Sequence, residues 1–104
     1  MTLRLVIEPE AEAELEQASD RYEESVPELG LHFLQEMRER TRDVLDAPHR
    51  FPTFGGLEGV QCAHAVRRFP HLVIYMVIGE TVHIIAYMHP RQRPGYWAHR
   101  VPSR

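Results

Sequence analysis

The chain has 104 residues and a mass of 12.1 kDa, enough for one domain with a single core, and we expect one domain over residues 1–104. Hydrophobic residues make up 43% and charged residues 26% of the chain, a balance that excludes a disordered protein. The lone cysteine, Cys62, excludes an intrachain disulfide, and every apolar run is too short for a membrane helix. The sequence therefore predicts a cytoplasmic protein with no membrane association.

Charge is distributed unevenly along the chain. Residues 1–50 hold 13 acidic residues and 6 arginines, a net charge of −7, whereas residues 51–104 hold 2 acidic residues and 6 arginines, a net charge of +4. All 12 basic residues are arginine. The basic half suits contact with nucleic acid or with an acidic partner, but a solvated helical face beside a neutral sheet would give the same asymmetry.

The first predicted element is a strand over residues 3–7, a short apolar run that Glu8 and Pro9 end. Pro9 suits the first turn of a helix, where its missing N–H costs nothing. Apolar residues then recur at helical spacing, at Ala11, Leu15, Ala18 and Tyr22.

Pro27 and Gly30 interrupt this helix, and a second helix is predicted from Glu28 or Leu31 to Asp46, before Pro48. Because the connection is short, the two helices should form an antiparallel hairpin within residues 10–46. The apolar stripe predicted for the second helix is Leu34, Met37, Thr41 and Leu45, flanked by Leu31, Phe33 and Val44.

A loop is predicted over residues 48–60, which hold two prolines and three glycines. Strands are predicted over residues 63–69, 72–78 and 81–88, with a two-residue hairpin turn at Gly79-Glu80. Arg67 and Arg68 are adjacent on the first of these strands, so we expect them to point to opposite faces. The tail from His89 is basic and aromatic, with a short helical turn around residues 95–100.

The order of elements is β-α-α-β-β-β. Strands that follow a helical pair are typical of the α+β class, so we expect a helical hairpin packed on a mainly antiparallel four-stranded sheet. The pattern does not fix the position of the first strand in that sheet.

No cofactor and no metal is predicted. The seven histidines are scattered without metal-ligand spacing, and Gly55-Gly56 lacks the lysine and the following helix of a phosphate loop. Cys62 fits a small buried residue at a strand start better than a nucleophile.

Arginine and aromatic residues concentrate on the strand predicted over residues 63–69 and in the tail that follows the last strand. This combination suits phosphate contact, base stacking or a protein-binding hot spot. In the alternative interpretation, the two tail aromatics cap the open edge of the sheet and the arginines only solvate the tail. The candidate contact residues are Arg67, Arg68, His89, Arg91, Arg93, Tyr96 and Trp97.

Residues 66–75 (VRRFPHLVIY), Gly79-Glu80 and residues 89–97 (HPRQRPGYW) resemble the C-terminal half of ParE toxins, of the RelE/ParE superfamily of toxin–antitoxin modules. These toxins are also called plasmid-stabilisation proteins. The resemblance extends over the whole chain, through Ala11, Leu15, Tyr22, Phe33 and residues 45–48. It implies a toxin that forms a hetero-oligomer with a cognate antitoxin and needs no cofactor.

The resemblance implies one of two activities. RelE-like toxins cleave mRNA on the ribosome, whereas ParE-like toxins inhibit DNA gyrase and trap DNA breaks. The RelE-like pattern has an arginine three residues before the strand tyrosine and lysines on the preceding strand. Here Leu72 precedes Tyr75 at that distance, Ala63 and Ala65 lie near the lysine positions, and the chain has no lysine. These departures favour the ParE-like activity, without catalysis by this chain.

Two alternatives remain. A RelE-like ribosome-dependent endonuclease would use Glu58, Arg67 or Arg68, His89 and Tyr96 as its catalytic residues. A toxin fold that has lost its activity would serve as a binding module. A segment of the antitoxin is expected to cover the sheet face or groove that the helical hairpin leaves uncovered.

Overall fold

A computed structural model describes residues 3–65 and 67–102 and shows an α+β fold of two helices packed on a four-stranded sheet. The predicted β-α-α-β-β-β order is confirmed. No helix in these residues is both long and apolar enough to cross a membrane. The elements are β1 (Arg4–Ile7), α1 (Pro9–Ser25), α2 (Leu29–Asp46), β2 (Val60–His64), β3 (Leu72–Ile78) and β4 (Thr81–Met88), with 3₁₀ turns at Pro48–Arg50 and Ala98–Arg100.

The strands lie in the order β1-β4-β3-β2. β4 pairs antiparallel with β3 across the predicted Gly79-Glu80 turn, and β3 pairs antiparallel with β2. β1 lies at the edge and runs parallel to β4, with Arg4 opposite Thr81. The sheet is therefore mixed, and the first strand adds to the last one.

The turn between the helices is tight. Glu28 adopts a left-handed conformation with φ 70°, and the Glu23 carboxylate accepts hydrogen bonds from the N–H groups of Glu28 (2.8 Å) and Gly30 (3.0 Å). The Ser19 hydroxyl donates to the Gly30 carbonyl at 3.0 Å. A Cβ at Gly30 would lie 2.4 Å from the Ser19 carbonyl oxygen, so only glycine permits this approach of the helices.

The predicted stripe of α1 is confirmed, with Tyr22 half-buried against the core, and that of α2 is confirmed except at its flanking residue Leu31. Phe33, Met37, Thr41 and Val44 are buried, whereas Leu34 and Leu45 are only half-buried and Leu31 is exposed. α2 turns the side that carries Phe33 and Met37 toward α1 and the sheet, because Gly30 sets the contact between the helices at its start. Leu31, one residue later, points away from that contact.

β2 was predicted too late in the sequence. It spans Val60–His64 instead of residues 63–69, and Val66 lies outside the described residues. The N–H groups of Arg67 and Arg68 donate to the Glu36 carboxylate on α2, at 3.3 and 3.1 Å, so this segment leaves the sheet. The expectation that the two arginines flank a strand on opposite faces is therefore wrong.

The two faces of the sheet are covered by different parts of the chain. The face toward the helices, here called the helix face, forms a core cluster with α1 and α2. The opposite face, here called the second face, is covered by Phe54, Leu57, Trp97 and Val101. The expectation that this face stays uncovered is wrong; the exposed large apolar residues of the described chain are Leu5 and Val6 on β1, and Val26 and Leu31 at the helical turn.

Candidate functional site

Trp97 fixes the tail, residues 89–102, to the second face. Its side chain is fully buried, with the Phe54 ring 5.2 Å away and Nε1 donating to the Met88 sulfur at 3.5 Å. This arrangement supports the interpretation in which the tail aromatics cap the sheet. Trp97 has no exposed surface that could contact a partner.

Glu14 ties the tail to the helices. Its carboxylate accepts hydrogen bonds from the backbone N–H of Tyr87 (3.2 Å), from Arg100 Nη1 (3.0 Å) and from the hydroxyl of Tyr96. One side chain in the middle of α1 thus joins the first helix, β4 and the tail.

The contacts with Glu14 favour the protonated forms of Tyr96 and Arg100. Burial raises the pKa of Tyr96, and the Glu14 carboxylate raises it further by accepting the phenol hydrogen bond. Burial lowers the pKa of Arg100, but the hydrogen bond and charge of Glu14 more than compensate, so the net direction is up. Tyr96 is therefore a hydrogen-bond donor and not a proton acceptor at neutral pH.

A groove of about 600 Å³ runs between α1 and the tail, and we call it the tail groove. One end holds Glu10, Glu14 and Arg100, and the other holds Arg21, about three helical turns further along α1. The lining residues are Glu10, Ala13, Glu14, Gln17, Ala18, Arg21, His71, Tyr87, His89, Arg91, Gln92 and Arg100.

Two histidines meet in this groove. The rings of His71 and His89 are nearly perpendicular, with centroids 5.1 Å apart. His71 is only 4% exposed, and burial, together with the positive charges of His89 and Arg21, lowers its pKa to about 4. His71 is thus neutral at physiological pH, and its buried Nδ1 has no hydrogen-bond partner among the described residues.

His89 is held by its own turn. Its backbone N–H donates to Gln92 Oε1 at 2.8 Å, and its Nδ1 accepts the backbone N–H of Arg91 at 3.0 Å. Because Nδ1 is an acceptor, the neutral ring carries its proton on Nε2. These contacts fix the ring orientation and bring Arg91 beside His89.

The charges of the groove are unequally compensated. Arg100 lies 3.0 Å from Glu14 and 3.9 Å from Glu10. Within the described part of the chain, neither Arg21 nor Arg91 has a carboxylate within 4.0 Å. The groove therefore has one end at Glu10, Glu14 and Arg100, with two carboxylates and one arginine, and a cationic end at Arg21 and Arg91.

Arg67 and Arg68 lie elsewhere, in the loop after β2 and against α2. Arg67 Nη1 is 3.4 Å from the Glu39 carboxylate, and Arg68 Nη1 is 2.9 Å from His32 Nδ1. Both side chains border a separate depression of about 260 Å³. Of the predicted set, the structure brings only His89 and Arg91 into the tail groove, whereas Arg93 is exposed in the tail and Tyr96 is half-buried beside it.

The candidate nuclease residues are dispersed. Glu58 is exposed in the turn before β2, and Leu72 is buried on the second face. Tyr75 is fully buried and donates its hydroxyl to the Pro48 carbonyl, and burial raises its pKa to about 12. Burial also raises the pKa of the Cys62 thiol, which disfavours a nucleophile there.

Sequence reasoning missed Arg21, His71, Glu14 and Arg100 as members of this site. His71 lies in the motif that carries the family resemblance, but nothing in the sequence showed that its ring meets His89. Among the described residues, no group of three His, Cys, Asp or Glu side chains is placed to hold a metal ion.

Comparison with known proteins gives two findings. The family model described as "ParE toxin of type II toxin-antitoxin system, parDE" matches residues 5–94. A chain of a solved structure titled "Chromosomal ParDE TA system from P. aeruginosa" matches with a TM-score of 0.74 and 20% sequence identity, covering 85% of this chain and 96% of that chain. No protein of curated function matches the sequence significantly.

Proposed function

Because the chain belongs to the ParE toxin family of type II toxin–antitoxin systems, we propose that it inhibits DNA gyrase in the cytoplasm and is neutralised by a cognate antitoxin. The family match over residues 5–94 is the observation that carries this proposal. The exposed basic groups then act as contacts to the target, and the chain itself performs no catalysis.

The placement of the candidate residues supports contact over catalysis. A nuclease needs its acid, its base and its phosphate ligand around one scissile bond. Here Arg67 and Arg68 lie against α2, whereas His89 lies in the tail groove. The Tyr96 hydroxyl donates a hydrogen bond to Glu14, and the apolar Leu72 stands where the RelE-like pattern has an arginine.

The exposed arginines are the residues proposed to contact gyrase. Arg67, Arg68, Arg91 and Arg93 are all exposed, so their guanidinium groups can pair with carboxylates or phosphates of a partner. His89 and Tyr96 are half-buried in the same tail as Arg91 and Arg93 and would form the rim of that part of the surface.

The direct test is to incubate the purified chain with gyrase and supercoiled plasmid, and separately with translating ribosomes. We expect inhibited supercoiling and trapped DNA breaks with gyrase, and intact mRNA on ribosomes. Replacing Arg91 and Arg93 by alanine should reduce inhibition at least tenfold, whereas Arg42→Ala, an exposed arginine on α2, should leave it unchanged. mRNA cleavage without an effect on supercoiling would favour the endonuclease, and no effect in either assay would favour a binding module.

Neutralisation is tested by expressing the chain with and without the small protein encoded beside it. We expect growth arrest with the chain alone and normal growth with both. The antitoxin should also raise the melting temperature of the purified chain, because a ligand that binds only the folded state stabilises it. A partner that restores growth without any change in the melting temperature would contradict direct binding.

A further inference from the structure

The cationic end of the tail groove is a preformed cluster of donors with no described acceptor. Arg21 lies on α1 and Arg91 follows His89 in the tail, so the two residues line the groove from its two walls. His71 and His89 lie at this same end, and their rings are in contact. Arg21, His71 and His89 also border a smaller depression beside Tyr22 and Ser25.

His71 provides a second, independent observation. Its side chain is 4% exposed and lines the groove, yet its Nδ1 has no hydrogen-bond partner among the described residues. A buried polar atom without a partner costs free energy, and proteins retain such atoms mainly where a ligand, an ion or water satisfies them. The free donors of this cluster thus favour an occupant that accepts hydrogen bonds and carries negative charge.

The rest of the groove limits what this occupant can be. Glu10, Glu12, Glu14 and Glu16 lie along α1, and Glu10 and Glu14 line the groove itself. A nucleic acid backbone, with a charge on every phosphate, would be repelled by this helix. A single carboxylate on a peptide would meet only the cationic end, and its apolar neighbours could lie on Ala13 and Ala18.

We propose that the cationic end of the tail groove, formed by Arg21, His71, His89 and Arg91, binds a carboxylate side chain of an acidic peptide segment. Arg21 and Arg91 pair with the carboxylate from the two walls, and a ring N–H of the histidines donates to it. The proposal goes beyond gyrase inhibition, because it concerns a peptide site that can be occupied without gyrase.

The test uses the full chain at pH 7 and low salt, with an acetylated and amidated hexapeptide of leucine and glutamine residues that contains a single glutamate. Its counterpart with glutamine in place of glutamate is the matched control, and a dT hexanucleotide probes phosphate. NMR titration should show shifts of the His89 ring signals with the glutamate peptide and at least fivefold weaker binding of the glutamine peptide. The same shifts with tighter binding of the oligonucleotide would overturn the proposal in favour of a nucleic acid site.

Variants locate the site. Arg91→Gln and Arg21→Gln should each weaken binding of the glutamate peptide at least fivefold, and Arg42→Gln, outside the groove, should leave it unchanged. Both groove arginines are exposed, so the variants should fold, and their thermal melts verify this. Equal weakening by all three variants would mean that the peptide responds only to net charge, and the proposal would be wrong. Because gyrase is absent, this outcome is separate from that of the supercoiling assay.

Discussion

The helix face of the sheet is covered by two helices of 17 and 18 residues, whereas the second face is covered by a loop and a tail with only a single 3₁₀ turn in it. The helices bury regular stripes of side chains, so each residue supports its neighbours. The tail instead depends on two anchors, Trp97 in the second-face cluster and the contacts to Glu14. One face of the sheet is thus covered by regular helix packing, whereas the other is covered by a tail that a few specific contacts hold in place.

The largest expected effect compares the two faces directly. Phe33 and Trp97 are both fully buried, one on each side of the sheet. Phe33→Ala and Trp97→Ala should each lower the free energy of unfolding by about 3–5 kcal/mol, since each leaves a large cavity. Denaturant unfolding measures both, and Val26→Ala, at an exposed site, should change stability by less than about 0.5 kcal/mol. A loss below about 1 kcal/mol for Trp97→Ala would mean that the tail is not part of the folded core.

The next largest effect is a dependence of the folding stability on pH, caused by His71. The pKa of His71 is about 4 in the folded chain and about 6.5 in the unfolded chain, so the unfolded chain binds more protons between these values. Stability should therefore fall as the pH drops through this window, and His71 should account for about 2–3 kcal/mol of the loss between pH 7 and pH 4.5.

Unfolding of the wild type and of His71→Gln at several pH values measures this contribution. The variant should lose less stability on acidification, because the other titrating groups are common to both proteins. Parallel pH profiles for the two proteins would contradict a depressed pKa at His71.

A smaller effect concerns the polar anchor. Glu14→Gln removes the charge from a carboxylate that holds three groups, and it should cost about 2 kcal/mol. Glu12→Gln, two residues earlier, breaks only a surface ion pair with Arg38 at 3.3 Å and should cost less than about 1 kcal/mol. The Glu14 variant should also expose the tail, which limited trypsin digestion after Arg91 would detect. Equal digestion of the Glu14→Gln and Glu12→Gln variants would contradict the role of Glu14 in holding the tail.

The smallest effect is that of the phenol hydroxyl. Tyr96→Phe keeps the ring and removes one hydrogen bond to Glu14, so it should cost about 1 kcal/mol. In the Glu14→Gln background the same change should cost less, because the charged acceptor is already gone. Additive losses would show that Tyr96 and Glu14 do not act together.

Sequence predicted best where local chemistry decides the structure. Pro9, Pro27 and Gly79-Glu80 mark the ends of helices and strands, and the runs of β-branched residues in β3 and β4 predict strands there. β2 was misplaced because Val60 sits inside a glycine-rich segment, and because Glu36, distant in sequence, captures the amides of Arg67 and Arg68. No local pattern records such a contact.

The candidate site was predicted less completely for a related reason. Glu14 is one of several glutamates at alternate positions of α1, and its neighbours in sequence show the same pattern. Only the docking of the tail distinguishes it. The residues around Trp97 are compatible both with a buried side chain that caps the sheet and with an exposed one. The structure decides between these interpretations, because it places Trp97 in the second-face cluster.

The parallel pairing of β1 with β4 has a consequence for how the molecule is made. Residues 5–80, about three quarters of the chain, lie between Arg4 and Thr81, which are opposite each other in the sheet. Contacts so distant along the chain raise the contact order and slow folding, because a long loop must close before they form. During synthesis the edge strand has no partner until β4 has left the ribosome, so the sheet cannot be completed before the residues up to Met88 have been made.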